Sequence, residues 1–184
     1  MADPVSRELS RQAARIEAAE RRLAMMVMSG KVGPVSADRR RLRLKLGTNS
    51  KGEDVLGPWI RWQEAGVGAL SIHSEPEEGE QMIMVSMSGT IGAGSIAVPG
   101  SFDQDHAAPS TSSDTTFIAR GNTRIEMKDG QLVLSSNGVS ATLTGDGFDF
   151  QGGKLSHDGK NIGSGHTHGG IERGGEDTYG PNPA

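Results

Sequence analysis

The residues best placed for chemistry lie near the C-terminal end, in Gly165-His166-Thr167-His168-Gly169-Gly170. In an extended chain, residues i and i+2 point to the same side. His166 and His168 then face one way and Thr167 the other. Two imidazoles per chain make a poor metal site. Three chains around a threefold axis would bring six imidazole nitrogens to one ion. Zinc prefers four ligands in a tetrahedron. An octahedral all-nitrogen site suits Fe(II), Co(II) or Ni(II), and biological availability favours iron. The flanking glycines fit, because backbones crowding an axis need residues without Cβ. Glu172 and Asp177 follow, separated from the pair by Gly-rich sequence. The competing reading is a solvated polar pair in a flexible tail.

Other chemistries lack their residues. The chain has no Cys, which excludes disulfides, thiolate metal sites and Cys nucleophiles. It has no Gly-x-Ser-x-Gly elbow, no phosphate-binding Walker loop and no His-Glu-x-x-His. Ser164 lies too close to His166 along the chain to form a triad with it. His106, in a polar stretch, and His73 and His157 read as surface or strand residues without a chemical role.

The elements that must hold the His pair are thinly provisioned. Of 184 residues, 34% are hydrophobic, 4% are aromatic, and 27 are Gly. Such a chain lacks the bulk for one large core and predicts a thin, turn-rich structure completed by other copies. No apolar run approaches the roughly 18 residues of a membrane span. The charged N-terminal stretch does not look like a signal peptide, so synthesis and folding in a cytoplasm are expected. Residues 1–48 hold 11 Lys and Arg against 5 Asp and Glu, and the remainder holds 8 against 18. That asymmetry predicts an extended molecule with different surroundings at its two ends.

Residues 1–28 are expected to form an N-terminal helix, with helical periodicity over 5–28. Leu9, Ile16 and Leu23 recur every seven residues, with Val5, Ala19 and Met26 on the adjoining seam and Gln12 interrupting it. Self-association would cover this stripe, and so would packing on the chain's own domain. Residues 29–100 predict a small β barrel of the OB type. Gly33-Pro34 and Gly57-Pro58 mark turns. Leu42, Leu44 and Leu46 alternate with Arg41, Arg43 and Lys45, a half-buried strand with a wet basic face. Gln81–Met87 is apolar on both faces, which predicts a strand that is central or sits at an interface. Trp59 and Trp62 supply most of the aromatic bulk. Residues 101–120 are a polar connector.

Residues 121–163 change style. Asp129-Gly130, Asn137-Gly138, Asp146-Gly147 and Asp158-Gly159 punctuate the stretch with strong turn signals. Between them lie Thr123-Ile125-Met127, Leu132-Leu134, Val139-Ala141-Leu143 and Phe148-Phe150. A flat meander of these strands has a wet back and a very thin core. Three copies wrapped on one axis would cover every inward residue and pair the exposed edges.

The order of these parts resembles the baseplate assembly protein V family, the central spike proteins of contractile-tailed bacteriophages, and is closest to the Mu-like branch. The most specific parts are Glu78-Gly79-Glu80-Gln81 leading into a strand, and the His166-Thr167-His168-Gly169-Gly170 tail with Gly174-Gly175 and Gly180-Pro181 behind it. The Met-rich run Met-Ile-Met-Val-Ser-Met after Gln81 departs from the family's pattern. The resemblance implies a mainly β homotrimer: an OB-fold-like head, an intertwined triple-stranded β-helical needle over 121–163, and a tip over 164–184. It implies one iron ion per trimer, held by His166 and His168 of each chain. It also implies a non-enzymatic virion component of the tail baseplate tip. That component is assembled in the host cytoplasm beside tail tube proteins and driven through the host outer membrane. The alternatives are a metal-dependent enzyme at the His pair, or an OB-fold nucleic-acid-binding module using residues 39–45. The overall acidity and the lack of aromatics among those basic residues oppose specific nucleic-acid binding.

Overall fold

The computed structural model describes residues 3–166 and Gly170. The described residues are mainly β, with one helix and several open sheets. It divides into two compact units, Met1–Ala108 and Pro109–Ala184.

The first unit begins with α1 (Pro4–Ala24). Pro4 follows Asp3 at the start, where its missing N–H is not needed. Arg21 and Arg22 occupy the last turn, where cations favour the helix dipole. The helix stops four residues short of the sequence expectation, because a strand competes for the next residues. Val27 pairs with Val85 and Met28 with Met84. Gly89 seats the helix end: a Cβ there would lie 2.5 Å from the Arg22 carbonyl oxygen.

Eight strands follow: β1 (Val27–Val35), β2 (Leu42–Thr48), β3 (Asp54–Leu56), β4 (Arg61–Trp62), β5 (Gly66–Val67), β6 (Ser71–Ile72), β7 (Gln81–Val85) and β8 (Ile96–Pro99). Six of them form one sheet in the order β3-β2-β1-β7-β8-β4, and β5 and β6 form a separate hairpin. Ile60, just before β4, exchanges two backbone hydrogen bonds with Leu42 of β2, at 2.9 and 3.0 Å. The sheet therefore curls around Val32, Leu42, Leu44, Ile60, Trp62, Met82, Met84 and Ala97, all buried. As the alternation predicted, Leu42 and Leu44 point inward, and β7 is central, between β1 and β8. Gly33-Pro34 is not a turn. It lies within β1, where the register with β2 shifts between Val32 and Val35. A bulge tolerates Pro because the ladder is already interrupted there. Only Trp62 joins the core, while Trp59 stays partly exposed.

The second unit is an antiparallel meander of β9 (Thr116–Arg120), β10 (Thr123–Lys128), β11 (Gln131–Ser136), β12 (Val139–Thr144) and β13 (Gly147–Gln151). A hairpin of β14 (Ser156–His157) and β15 (Lys160–Asn161) follows. All four Asp-Gly and Asn-Gly pairs fall at hairpin ends, as predicted. Asn137 and Gly138 take φ of 48° and 84°, the doubly positive geometry that suits a tight hairpin.

Candidate functional site

The meander sorts its side chains by face. Direct cross-strand pairing runs Ile118, Ile125, Leu134, Ala141, Phe150 in one row. The neighbouring row runs Thr116, Met127, Leu132, Leu143, Phe148. Residues directly opposite, and residues two apart on a strand, share a face. Nine of these ten side chains are apolar, so one face is a continuous hydrophobic sheet. The other face is mixed: Arg124, Glu126, Lys128, Ser135, Thr142 and Asp149 share it with Phe117 and Val133, and Arg124 lies over the Phe117 ring. Among the described residues of this unit, nothing covers the apolar face. Ile118 is 61% exposed, Phe148 63%, Phe150 54% and Leu134 45%. The two Phe rings stack only on each other, 5.9 Å apart. Every buried residue among those described lies in the first unit.

Beyond the meander the chain turns toward the His motif. Ile162 donates to the Leu155 carbonyl at 2.9 Å and Gly163 to Asn161 Oδ1 at 3.0 Å. The His166 N–H donates to the Gly163 carbonyl at 3.0 Å, and its Nδ1 lies 2.7 Å from the same oxygen. A carbonyl can only accept, so Nδ1 carries the proton and the ring lone pair sits on Nε2. Metal-binding imidazoles have the same tautomer and the same kind of backbone partner. The backbone thus holds the His166 ring by Nδ1. His168, Glu172 and Asp177 lie outside the described residues. Among the described residues of this single chain, no group of three or more His, Asp or Glu could hold a metal by itself.

Two polar clusters in the first unit were not legible from motifs. Glu64 accepts the Trp62 indole N–H at 2.8 Å, contacts His73 Nδ1 at 2.7 Å and accepts the Ser74 N–H at 3.2 Å. Burial pushes its carboxyl up, but these three partners outweigh burial and hold it below the ordinary carboxylate range. The cluster clamps the segment around β6 onto β4. Its sequence signal was weak: the i, i+2 spacing of Trp62 and Glu64. The second cluster straps residues 103–106 to β1. Lys31 pairs with Asp105 and, at 3.2 Å, with Asp103. The His106 N–H donates to Asp103 at 2.8 Å. That bond, with Lys31 and against desolvation, keeps the Asp103 carboxyl low. His106 is half-buried rather than solvated. Its Nδ1 is 3.6 Å from Asp103 and has no hydrogen-bond partner among the described residues.

The basic strand is less available than its sequence implied. Arg43 donates to the carbonyls of Gly57 at 2.6 Å and Leu56 at 3.2 Å, and lies over the Trp59 ring. Lys45 pairs with Asp54 and Glu78, and Arg39 with Glu75. Arg41 remains exposed. No helix among the described residues is long and apolar enough to cross a membrane. No protein-family model matches the chain, and no curated protein matches it.

Proposed function

We propose that the chain is the central spike at the tip of a contractile phage tail baseplate, a homotrimeric needle that pierces the host outer membrane during tail contraction and genome delivery. The observation that carries this reading is the uncovered apolar face of the β9–β13 meander, in a unit with no buried residue among those described. A monomer would leave that face in water, where patches of this kind mark interaction surfaces. Three copies turned inward around one axis cover it, and they also pair the open sheet edges. The result is the intertwined needle that the family resemblance implies.

The remaining parts fit the same reading. The curl of the open six-stranded sheet, brought round by the isolated Leu42–Ile60 bridge, supports an OB-fold-like head. The three chains would supply His166 and His168 to one iron ion at the tip. Iron bound by six imidazoles cross-links three chain ends and has no open position for a reacting water, unlike a catalytic metal site. A needle needs mechanical resistance rather than a pocket, and no catalytic role is assigned. The internal pairing of Arg39, Arg43 and Lys45 counts against nucleic acid as a partner.

The test combines native mass, metal content and location. Purified full-length protein is expected to have the mass of three chains and to carry one iron per three chains. Tagged protein is expected to label the baseplate tip of contractile tails in electron micrographs. A monomer in solution, or tails that incorporate no tag, refutes the proposal.

A further inference from the structure

The helix α1 has its own unanswered stripe. Two ways of covering it were open from sequence: its own domain, or other copies. The first is not used, since no residue of α1 is buried and Val5, Leu9, Ile16 and Leu23 are 58–67% exposed. We propose that α1 forms a parallel three-stranded coiled coil with the same helix of two further copies of this chain. This rests on the trimeric reading above, because three helices related by a threefold axis must run parallel.

The heptad arithmetic sets the register. Leu9, Ile16 and Leu23 occupy position a, and Val5, Gln12 and Ala19 occupy position d. Glu8, Arg15 and Arg22 then take position g, and Ser6, Ala13 and Glu20 take position e. In a parallel coil, a g residue meets the e residue five positions later on its neighbour. Arg15 therefore meets Glu20 of the next helix, a cation against an anion, repeated three times around the axis. Some charges are spent locally: Glu8, at a g position, pairs with Arg11, and Glu17 pairs with Arg21 on the back of the helix. Among the described residues, Arg15 and Glu20 make no ion pair. Both flank the stripe, and their signs match across a parallel interface. Gln12 adds one polar layer, the kind of seam residue that fixes register at some cost in stability. A coil of only 21 residues is marginal alone, so its role is to set the register of three chains at this end.

The absence of Cys gives a clean test. In the full chain, Gln12→Cys puts a thiol on the seam, and Ala14→Cys puts one on the outer face. A disulfide requires Cα atoms within about 7 Å, which only the seam position approaches. Under mild oxidation, Gln12→Cys is expected to give covalent dimers at least about tenfold faster than Ala14→Cys. The yield should level off at two chains of every three, since the third thiol in each trimer has no partner. Equal rates at the two positions, in protein with the mass of three chains, overturn the coil and leave the trimer standing. Complete conversion to covalent dimers overturns the three-stranded arrangement. A monomeric mass overturns both the coil and the spike.

Discussion

Leu134→Ala separates a covered sheet face from a bare one. Leu134 sits at the middle of the five-residue row, opposite Ile125 and Ala141, with 45% of its surface exposed in the single chain. Burying a whole leucine is worth about 1.5–3 kcal/mol, so covering that remaining part is worth roughly 1 kcal/mol per chain. If three copies enclose the side chain, truncation also leaves a cavity, and the total becomes that of a core Leu→Ala change, about 2–5 kcal/mol per chain. If the face stays in water, the cost is about 1 kcal/mol or less, because no cavity forms. Lys128→Ala, on the polar face, is the control and is expected to stay within about 0.5 kcal/mol. The assay is urea dissociation of the full-length oligomer, followed by native mass and far-UV circular dichroism on the same samples. Intertwined chains dissociate slowly, so samples are held at each urea concentration until the signal stops changing. A Leu134→Ala cost of about 1 kcal/mol per chain or less, with Lys128→Ala near zero, refutes the enclosure of this face, whatever the mass of the protein.

Replacing both His166 and His168 with Ala is expected to abolish iron binding while the trimer persists, read by elemental analysis and native mass together. Because ligand imidazoles must be unprotonated, acidification of the wild-type protein should release the metal and protons should compete with it measurably. Glu64 is held below the ordinary carboxylate range, so its contribution to stability is present above the unfolded value of about 4.3 and is lost as pH falls through the lower folded value. Glu64→Gln should remove that acid-limb loss from the pH dependence of unfolding, and an unchanged acid limb would contradict the clamp. Arg43→Ala should destabilise the first unit by about 1.5–3 kcal/mol, the range for hydrogen bonds to a charged group, and Arg43→Lys should not restore it. Neither change is expected to alter DNA retention at physiological salt, because Arg43 is committed to Gly57, Leu56 and Trp59.

The second unit was the more legible half in sequence. Its turns are written in residues that tolerate positive φ, and its strands are short enough for period-two alternation to identify one apolar face. Asn137-Gly138 and the pair Leu132-Leu134 each fixed an element by local chemistry alone. The first unit resisted at the places where tertiary pairing overrides local signals. Gly33-Pro34 reads as a turn, yet its flanking residues pair with β2 across a bulge. Met26 continues the helical stripe, yet the residues immediately after it are claimed by β7. The Glu64 clamp joins residues nine and ten positions apart through a hairpin whose strands are two residues long, too short to leave a periodic trace. Of the candidate metal site, the spacing of the His pair was visible from sequence. The proton position on His166 was not, because it depends on where the Gly163 carbonyl points.

The unequal division of the core has a consequence for assembly. The first unit encloses eight buried apolar residues and can fold within one chain. The second has cross-strand hydrogen bonds but no enclosed side chain among the described residues, and isolated antiparallel strands without a covered face are marginal in water. Folding is then expected in two stages of different molecularity. Both tryptophans, Trp59 and Trp62, lie in the first unit, so indole fluorescence reports that stage alone. After dilution from denaturant, its recovery should be independent of protein concentration. The recovery of native mass should speed up with concentration, as subunit assembly does. Chains diluted enough to stop assembly should show native tryptophan emission and bind a hydrophobic dye on the open β9–β13 face. If chains too dilute to assemble bind no dye and recover the full far-UV circular dichroism of the native protein, the second unit folds unaided and the case for intertwining fails.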